Sequence, residues 1–357
     1  MISKNFSALF LLVFMGASLA LCGVYMNATL KGVERPTFQS IWVGIWAPAF
    51  EKALGEALPI SVPARNFWGS AEYDLFNEGR KGVIVGADGW LFTDEEFSCL
   101  PKADAHMATN LDYIKSVHQT LKAKNIALVT AIIPAKVRVY KEHMGVHAVP
   151  ACREGVYALT VETLKQAGID TVSLLPVFEK AANKDSLFLK TDTHWTPEGA
   201  RLAAQDITTF LKGRFTSLPA KSFATKAGEG QEHKGDLLRY TPGVGVENIP
   251  HDVLNQYTTE QVQDASQTDA ASSLFGDDVP LAALVGTSYS ANPLWNFPGF
   301  LKEGLNSDIL DASDEGLGPF TVMEKYLNGD SYKNAAPVVV VWEIPERYMT
   351  TKPEYKH

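Results

Sequence analysis

Residues Ile126–Ile133 read IALVTAII, an apolar run without a charged side chain. A continuous run of this length is typical of a strand that is buried on both faces of a parallel sheet. Two later segments, Leu281–Val285 and Val338–Trp342, have the same character, and a further strand is predicted near Thr171–Leu175. Together they predict a sheet whose two faces are both covered by other elements.

Helical patterns lie between these strands. Apolar residues keep helical spacing from Leu111 until Asn125, and a second helix is predicted over Val156–Gln166. Thr196, as an N-cap followed by Pro197 and an acid, predicts a third helix that ends near Lys212. Strands that alternate with helices indicate an α/β doubly wound sheet. Residues 213–275 are polar, and we expect an irregular excursion over the sheet edge.

The N-terminus differs from the rest of the chain. No charged residue occurs between Lys4 and Lys31, and Ala8–Met26 is almost wholly apolar. This length predicts a membrane-spanning helix or a long signal peptide whose positive flank stays in the cytoplasm. We favour an uncleaved anchor, and cleavage after Cys22 is the alternative. With an uncleaved anchor or a cleaved signal, everything that follows Lys31 is expected to be exported.

The chain is organised around one large domain. A tight turn that enters a strand at Gly86–Phe92 marks where this domain begins. We therefore expect an anchor or signal over 1–30, a connector with short helices over 31–80 and the functional domain over 81–357.

Composition narrows the function classes. Hydrophobic residues make up 46% of the 357 residues, which is ordinary for a packed globular protein. The formal net charge of -9 argues against nucleic acid as a partner. Beyond the anchor the cysteines are Cys99 and Cys152. An oxidising exported compartment favours a disulfide between them, and two free buried thiols are the alternative.

Two short motifs carry the candidate chemistry. Asp192 and His194 are separated by one residue, so in an extended segment both side chains project to the same side. Asp192 can then orient His194, whose second ring nitrogen is left for Ser288, directly after a predicted strand. The order Asp, His, Ser and the absence of Gly at position 290 do not fit an α/β-hydrolase. A metal site using Asp192 and His194, or a plain surface turn, are the alternative readings.

A few further residues are candidates for substrate contact. Lys136 and Arg138 follow a buried strand, so they should lie at the same sheet edge as Ser288 and could bind a carboxylate. An ordinary solvated basic surface is an equal alternative. Trp295 and Phe297 could stack on a sugar ring, although core packing is the commoner role of such aromatics.

As a set, several motifs resemble the alginate O-acetyltransferase family of AlgJ and AlgX. They are Asp88–Phe92 (DGWLF), Asp192–Gly199 (DTHWTPEG), Gly286–Ser290 (GTSYS), Trp295–Phe297 (WNF) and Trp342–Arg347 (WEIPER). The resemblance covers most of the chain after residue 80. Its anchor and length are more similar to the AlgJ type than to the AlgX type, which has an added carbohydrate-binding module. The resemblance implies an SGNH-hydrolase-like fold with a permuted motif order.

The resemblance also implies the activity and the partners. A periplasmic protein, held at the inner membrane by its N-terminal helix, would transfer acetyl groups to an exopolysaccharide, namely mannuronate units of alginate. A membrane-embedded acyltransferase would supply the acetyl group, and other exopolysaccharide-complex proteins would be partners. No cofactor or metal is expected. A carbohydrate acetylesterase with the same triad, or a non-catalytic component of the secretion complex, are the alternatives.

The expected site combines these predictions. Ser288, His194 and Asp192 are the catalytic residues. The predicted substrate-binding residues are Lys136, Arg138, Trp195, Tyr289 and Asn296. Family members use a Gly and an Asn in the oxyanion hole; Asn296 is the candidate side chain, and the Ser288 backbone N–H is the better-founded donor.

Overall fold

The structure is a computed structural model. It describes residues 4–76, 78–216, 218–241, 251–262, 280–334 and 337–355. The chain divides into two compact units, of which one contains the helices up to Phe76 and the other contains the elements from residue 78 onward. Each is described by itself.

The first unit is helical. Its helices are α1 (Lys4–Lys31), α2 (Phe38–Trp42), α3 (Trp46–Ala57) and α4 (Ser61–Phe76). Within α1, the segment Leu9–Lys31 has a mean hydropathy of 2.2 and is long enough to cross a membrane. An export signal near the N-terminus can have the same length and composition.

The second unit contains all the strands of the described chain. They are β1 (Val83–Val85), β2 (Leu91–Thr93), β3 (Ala127–Ile133), β4 (Asp170–Ser173), β5 (Phe223–His233), β6 (Asp252–Gln261), β7 (Ala282–Val285), β8 (Ile309–Asp311) and β9 (Val339–Pro345). Its helices are α5 (Ala103–Lys122), α6 (Lys136–Val139), α7 (Ala151–Glu154), α8 (Val156–Gln166), α9 (Leu175–Glu179), α10 (Pro197–Arg214), α11 (Ser288–Ala291), α12 (Phe297–Leu305), α13 (Gly318–Asn328) and α14 (Asp330–Asn334).

The central sheet has five parallel strands in the order β4-β3-β9-β7-β8. Alternate residues of β3 enter separate cores on its two faces. Val129 lies in the core that includes residues of α10 and α12, and Leu128 lies in the core with residues of α5, α8 and α13. Because both faces are covered, the strands need no polar face, which explains their continuous apolar runs. The predicted α/β doubly wound architecture is confirmed.

The predicted helices agree with the structure where their signals were strong. α8 has the expected bounds, and α10 begins at Pro197 with the Thr196 hydroxyl accepting a hydrogen bond from the Gly199 amide. α5 begins earlier than expected, at Ala103. The expectation of irregular structure within 213–275 was wrong for Phe223–His233 and Asp252–Gln261, which pair as the antiparallel strands β5 and β6. Residue 217 and residues 242–250 and 263–275 lie outside the described residues. Most side chains of β5 and β6 are exposed, so their sequences lack the alternation of apolar and polar residues from which strands are predicted.

The expected disulfide is present. It joins Cys99 to Cys152, whose Cα atoms lie 5.9 Å apart. It links the segment before α5 to α7 and therefore closes a loop of the second unit.

Candidate active site

Ser288 lies at the carboxyl end of a central strand. β7 ends at Val285, and Ser288 is the first residue of α11. In open parallel sheets this edge is where ligands bind. The turn between them is tight, since a Cβ on Gly286 would come within 2.7 Å of a Glu343 carboxylate oxygen. Only glycine fits there, and Ser288 itself remains partly accessible.

The Glu343 carboxylate stabilises this turn through hydrogen bonds. It is fully buried on β9, and its carboxylate accepts hydrogen bonds from the Thr287 amide (2.6 Å) and from the Ser290 hydroxyl (3.0 Å). The Thr287 hydroxyl also contacts both carboxylate oxygens. Burial raises the pKa of Glu343 to about 7, although these hydrogen bonds oppose the shift. The Trp342–Arg347 motif was noticed in the sequence, but no role was assigned to Glu343.

His194 connects Ser288 to Asp192. Its Nε2 lies 2.8 Å from the Ser288 hydroxyl oxygen, and its Nδ1 lies 2.7 Å from one Asp192 carboxylate oxygen. The structure therefore brings the three predicted catalytic residues into one hydrogen-bonded chain. This geometry allows His194 to take a proton from Ser288 while Asp192 stabilises the imidazolium that forms.

Asp192 is buried and accepts hydrogen bonds on both oxygens. Besides the His194 ring, the backbone amides of His194 and Asp236 donate to it, each at 2.9 Å. The fourth partner is the His233 ring, whose Nε2 lies 2.9 Å from the second carboxylate oxygen. Burial alone would raise the pKa of Asp192, but the hydrogen bonds from His194 and His233 outweigh it and hold this pKa well below its usual range. Asp192 is therefore a stable anion.

His233–Asp236 is a part of the site that sequence reasoning missed. The hydrogen bond to Asp192 raises the pKa of His233, although burial opposes this. Asp236 accepts hydrogen bonds from the amide and the hydroxyl of Thr193. Gly235 allows its segment to pass close to Thr191, since a Cβ on Gly235 would overlap the Thr191 carbonyl group. The sequence signal, a glycine between two ionisable residues, is too common to have identified the segment.

Aromatic rings fix the orientation of His194. The Trp295 ring stacks on it with centroids 5.5 Å apart, and the Tyr289 ring lies 4.8 Å away. The Trp295 indole donates to the Ser288 carbonyl oxygen, and the Tyr289 hydroxyl donates to that of Thr193. Trp295 and Phe297 are buried, so core packing, and not exposed sugar stacking, is their place in the structure.

The two cations expected to bind substrate lie elsewhere. Lys136 is 1% exposed, and its ammonium group donates to the backbone carbonyls of Leu91, Lys190 and Asp192. All three of its protons are thus occupied. Arg138 is engaged by the Glu346 carboxylate and by two backbone carbonyls. Because these donors are engaged inside the protein, the structure gives no support to direct substrate contact by Lys136 or Arg138.

The other predicted contacts also have structural partners. Trp195 and Tyr289 are almost fully buried, and the Trp195 indole donates to the Tyr289 carbonyl oxygen. Asn296 donates through its side-chain amide to the Thr259 hydroxyl. Its backbone has a φ of 48°, in the left-handed region that asparagine tolerates. The burial of Trp195 and Tyr289 and the Thr259 contact of Asn296 give no support to the direct substrate contacts that we expected.

A cleft of about 180 Å³ is lined by Ser288 and His194. Asp94, Glu95 and Asp236 are its acidic lining residues, and Arg239 and Arg347 are its arginines. Arg347 is held by an ion pair with Glu95 (3.0 Å) and donates to the Tyr289 hydroxyl. Arg239 is exposed. The cleft therefore contains the candidate nucleophile and one accessible guanidinium group.

Asp192, His194 and Asp236 also satisfy the donor types of a metal site. One ligand atom from each lies within 4.8 Å of the others. However, the His194 nitrogens contact Asp192 and Ser288, and both carboxylates accept backbone hydrogen bonds. A cation on His194 would replace the contacts that link it to its neighbours. The arrangement fits proton transfer better than metal binding.

Comparisons with known proteins show which family the chain belongs to. Residues 83–346 match the SGNH hydrolase-like domain of the acetyltransferase AlgX. The chain is 37% identical to the probable alginate O-acetylase AlgJ of Pseudomonas aeruginosa, over 98% of this chain and 90% of that protein.

Two solved structures are also similar. One is the O-acetyltransferase domain of Pseudomonas putida AlgJ, with 39% identity, a TM-score of 0.70 and coverage of 78% of this chain and 94% of that one. The other is Pseudomonas aeruginosa AlgX, with 26% identity, a TM-score of 0.56 and coverage of 74% and 62% respectively.

Proposed function

The chain belongs to the SGNH hydrolase-like acetyltransferase family and is an O-acetyltransferase, and we propose that it acetylates the hydroxyl groups of a polyuronate, alginate, in the periplasm. The observation that carries the mechanism is the hydrogen-bonded chain from Ser288 through His194 to Asp192. The names of the relatives support alginate as the acceptor.

The first half-reaction forms an acetyl-enzyme. The Ser288 oxygen attacks the carbonyl carbon of an acetyl ester or thioester while its proton passes to His194 Nε2. The Ser288 backbone amide, at the first position of α11, is the proposed donor to the developing oxyanion. Collapse of the tetrahedral intermediate breaks the bond to the leaving group, which takes the proton from His194. Asp192, held ionised, stabilises the imidazolium between these two transfers.

The second half-reaction moves the acetyl group to the sugar. A hydroxyl of the acceptor attacks the acetyl-Ser288 carbonyl carbon, with His194 now taking the hydroxyl proton. The bond to the Ser288 oxygen breaks, and His194 returns the proton to that oxygen. Water can perform the same attack, so transfer requires the sugar hydroxyl to be positioned at the acetyl carbon. An enzyme whose cleft does not position the sugar hydroxyl would release the acetyl group to water and act as an acetylesterase.

Arg239 replaces Lys136 and Arg138 as our candidate for holding the acceptor. It is exposed and lines the cleft that contains Ser288. A guanidinium group binds a uronate carboxylate through two parallel hydrogen bonds, which would fix the orientation of the sugar as well as attract it.

The location and the acetyl source follow from the same proposal. α1 would hold the protein at the inner membrane, where a membrane-embedded acyltransferase could deliver acetyl groups across the bilayer. The Cys99–Cys152 disulfide supports an oxidising compartment. Other proteins of the exopolysaccharide complex would present the polymer.

The proposal can be tested with purified protein, 4-nitrophenyl acetate and defined oligomannuronates. We expect nitrophenolate release and acetylated oligomer, measured by absorbance and by mass spectrometry. Ser288→Ala should lower both by about a thousandfold or more. Ser116→Ala, which removes an exposed hydroxyl on α5, is the control.

Each result separates the alternatives. Free acetate without acetylated sugar, on uronate and neutral oligomers alike, would favour the esterase. Activity that survives Ser288→Ala would refute the nucleophile. Neither product from folded wild-type protein, even with the membrane-embedded acyltransferase added, would favour the non-catalytic component.

A further inference from the structure

The first unit exposes an apolar segment directly after α1. Residues Pro36–Phe50 contain no charged side chain. Their large side chains point outward, with Phe38 83% exposed, Trp42 81% exposed and Ile45 68% exposed. The tryptophans of the second unit behave in the opposite way. All of them are at most 1% exposed, namely Trp90, Trp195, Trp295 and Trp342. A contiguous exposed apolar surface of this kind marks a contact with a partner or a membrane.

The structure places this segment beside the end of the candidate membrane span. α3 packs against α1, and a Cβ on Gly32 would be 3.6 Å from the Ala53 side chain. The Trp46 indole donates to the Glu34 carbonyl oxygen at 3.0 Å. These contacts fold the chain back at the end of α1, instead of letting it extend away. If α1 spans a bilayer, Pro36–Phe50 lies at the depth of its outer surface.

The composition of the segment matches that depth. Tryptophan is enriched at the boundary between headgroups and acyl chains, where its apolar ring and polar N–H are both satisfied. Lys31 and Arg35 precede the segment, and Glu51 and Lys52 follow it. Charged residues therefore bound the apolar segment at both of its ends in the sequence.

We propose that Pro36–Phe50 binds the outer interface of the membrane that α1 spans. The ligand is the lipid bilayer itself. The contact would fix the connector against the membrane surface instead of leaving it a free tether. The inference requires that α1 is retained in the mature chain, and it does not depend on acetyl transfer or on Ser288.

The experiment is fluorescence quenching of the full chain in lipid nanodiscs. Discs are prepared with plain phosphatidylcholine, with lipid brominated at carbons near the headgroup, or with lipid brominated deep in the acyl chain. Bromine quenches only nearby tryptophan, so buried core tryptophans provide a constant background. We expect the shallow bromolipid to quench more strongly than the deep one. Trp42→Phe with Trp46→Phe should remove more than half of this quenching.

A matched pair of variants tests whether the segment contacts lipid. Trp42→Glu and Gln39→Glu add the same charge three residues apart on α2, and Gln39 is exposed but polar. Trp42→Glu should weaken bromolipid quenching at least twofold relative to Trp42→Phe, and Gln39→Glu should leave it unchanged relative to the wild type. Circular dichroism confirms that both variants remain helical.

Several results would overturn the inference. Quenching by aqueous iodide, with none by bromolipid, would place the segment in water. Protection from both quenchers would mean that a protein, such as a second copy of this chain, covers it. Intact mass measurement that shows cleavage after Cys22 would remove the anchor on which the contact depends. None of these outcomes bears on the activity of Ser288, so the two proposals fail separately.

Discussion

Replacing His233 by leucine should slow the reaction without weakening substrate binding. The substitution removes one of the two donors to the second carboxylate oxygen of Asp192, and the Asp236 amide remains at 2.9 Å. A hydrogen bond to a charged group contributes about 1.5–3 kcal/mol. Because Asp192 must stay ionised and oriented while His194 carries a positive charge, this energy is felt in the transition state. We therefore expect kcat to fall roughly 10- to 150-fold, with little change in KM.

The assay is the pH profile of nitrophenolate release, with two control variants. His233→Gln places an amide nitrogen near the position of Nε2, so it should recover most of the rate. His251→Leu makes the same change on an exposed histidine before β6, and it should have no effect. Wild-type rates in His233→Leu at every pH, or equal losses in the glutamine and leucine variants, would refute the idea that the donated hydrogen bond matters.

His233 also gives a prediction about stability. Asp192 raises the pKa of His233 in the folded protein, so the folded state binds the proton more tightly than the unfolded chain. This contribution is fully present below the unfolded value of about 6.5 and is lost as the pH rises through the raised folded pKa. Urea unfolding should therefore show a larger deficit for His233→Gln at pH 5.5 than at pH 9. An equal deficit at both would contradict the assignment.

Three other predictions concern the turn, the cleft and the disulfide. Glu343→Leu should lower the free energy of unfolding, measured with urea, by about 3 kcal/mol, because it leaves a buried amide and two hydroxyls without an acceptor. Glu343→Gln resembles the protonated carboxyl and should recover most of this free energy. Arg239→Gln should raise the KM for oligomannuronate about tenfold and leave nitrophenolate release unchanged. The control, Arg214→Gln, removes an arginine that is paired with Asp170 and should change neither activity. A loss of both activities in Arg239→Gln would mean that Arg239 supports the fold. Replacing Cys99 and Cys152 by serine should cost about 2–4 kcal/mol in the same unfolding assay, since the disulfide closes a loop across 53 positions, and an unchanged midpoint would contradict this.

The sheet and the triad could be predicted because their signals are local. A strand buried on both faces is predominantly apolar, as β3, β7 and β9 are, with Glu343 as the charged exception in β9. Asp192 and His194 are separated by one residue, so their proximity could be predicted without tertiary structure. The backbone there is bent and not extended as expected, and the His194 amide and ring contact the same Asp192 oxygen. Ser288 could be placed because a parallel sheet brings its strand ends to one edge.

The errors arose where tertiary structure overrides local chemistry. Lys136 follows a strand and looks like a solvated cation, but three backbone carbonyls surround its ammonium group. Desolvation lowers its pKa to about 8, and nearby carboxylates such as Glu96 oppose this. Glu343 carried a usable signal, because a charged residue inside an apolar strand must have buried partners. His233 carried none, because its strand is exposed along most of its length.

The ribbon of β5 and β6, which the sequence did not predict, is also what holds the catalytic loop. His233 ends β5 and contacts Asp192, while Asp252 begins β6 and accepts hydrogen bonds from the Lys190 and Thr191 amides. The Lys136 ammonium group holds the carbonyls of Lys190 and Asp192. Residues 190–194 form no helix or regular strand, so their backbone groups need such partners. A loop satisfied from several separate segments has few alternative conformations, which keeps Asp192 and His194 positioned before substrate arrives.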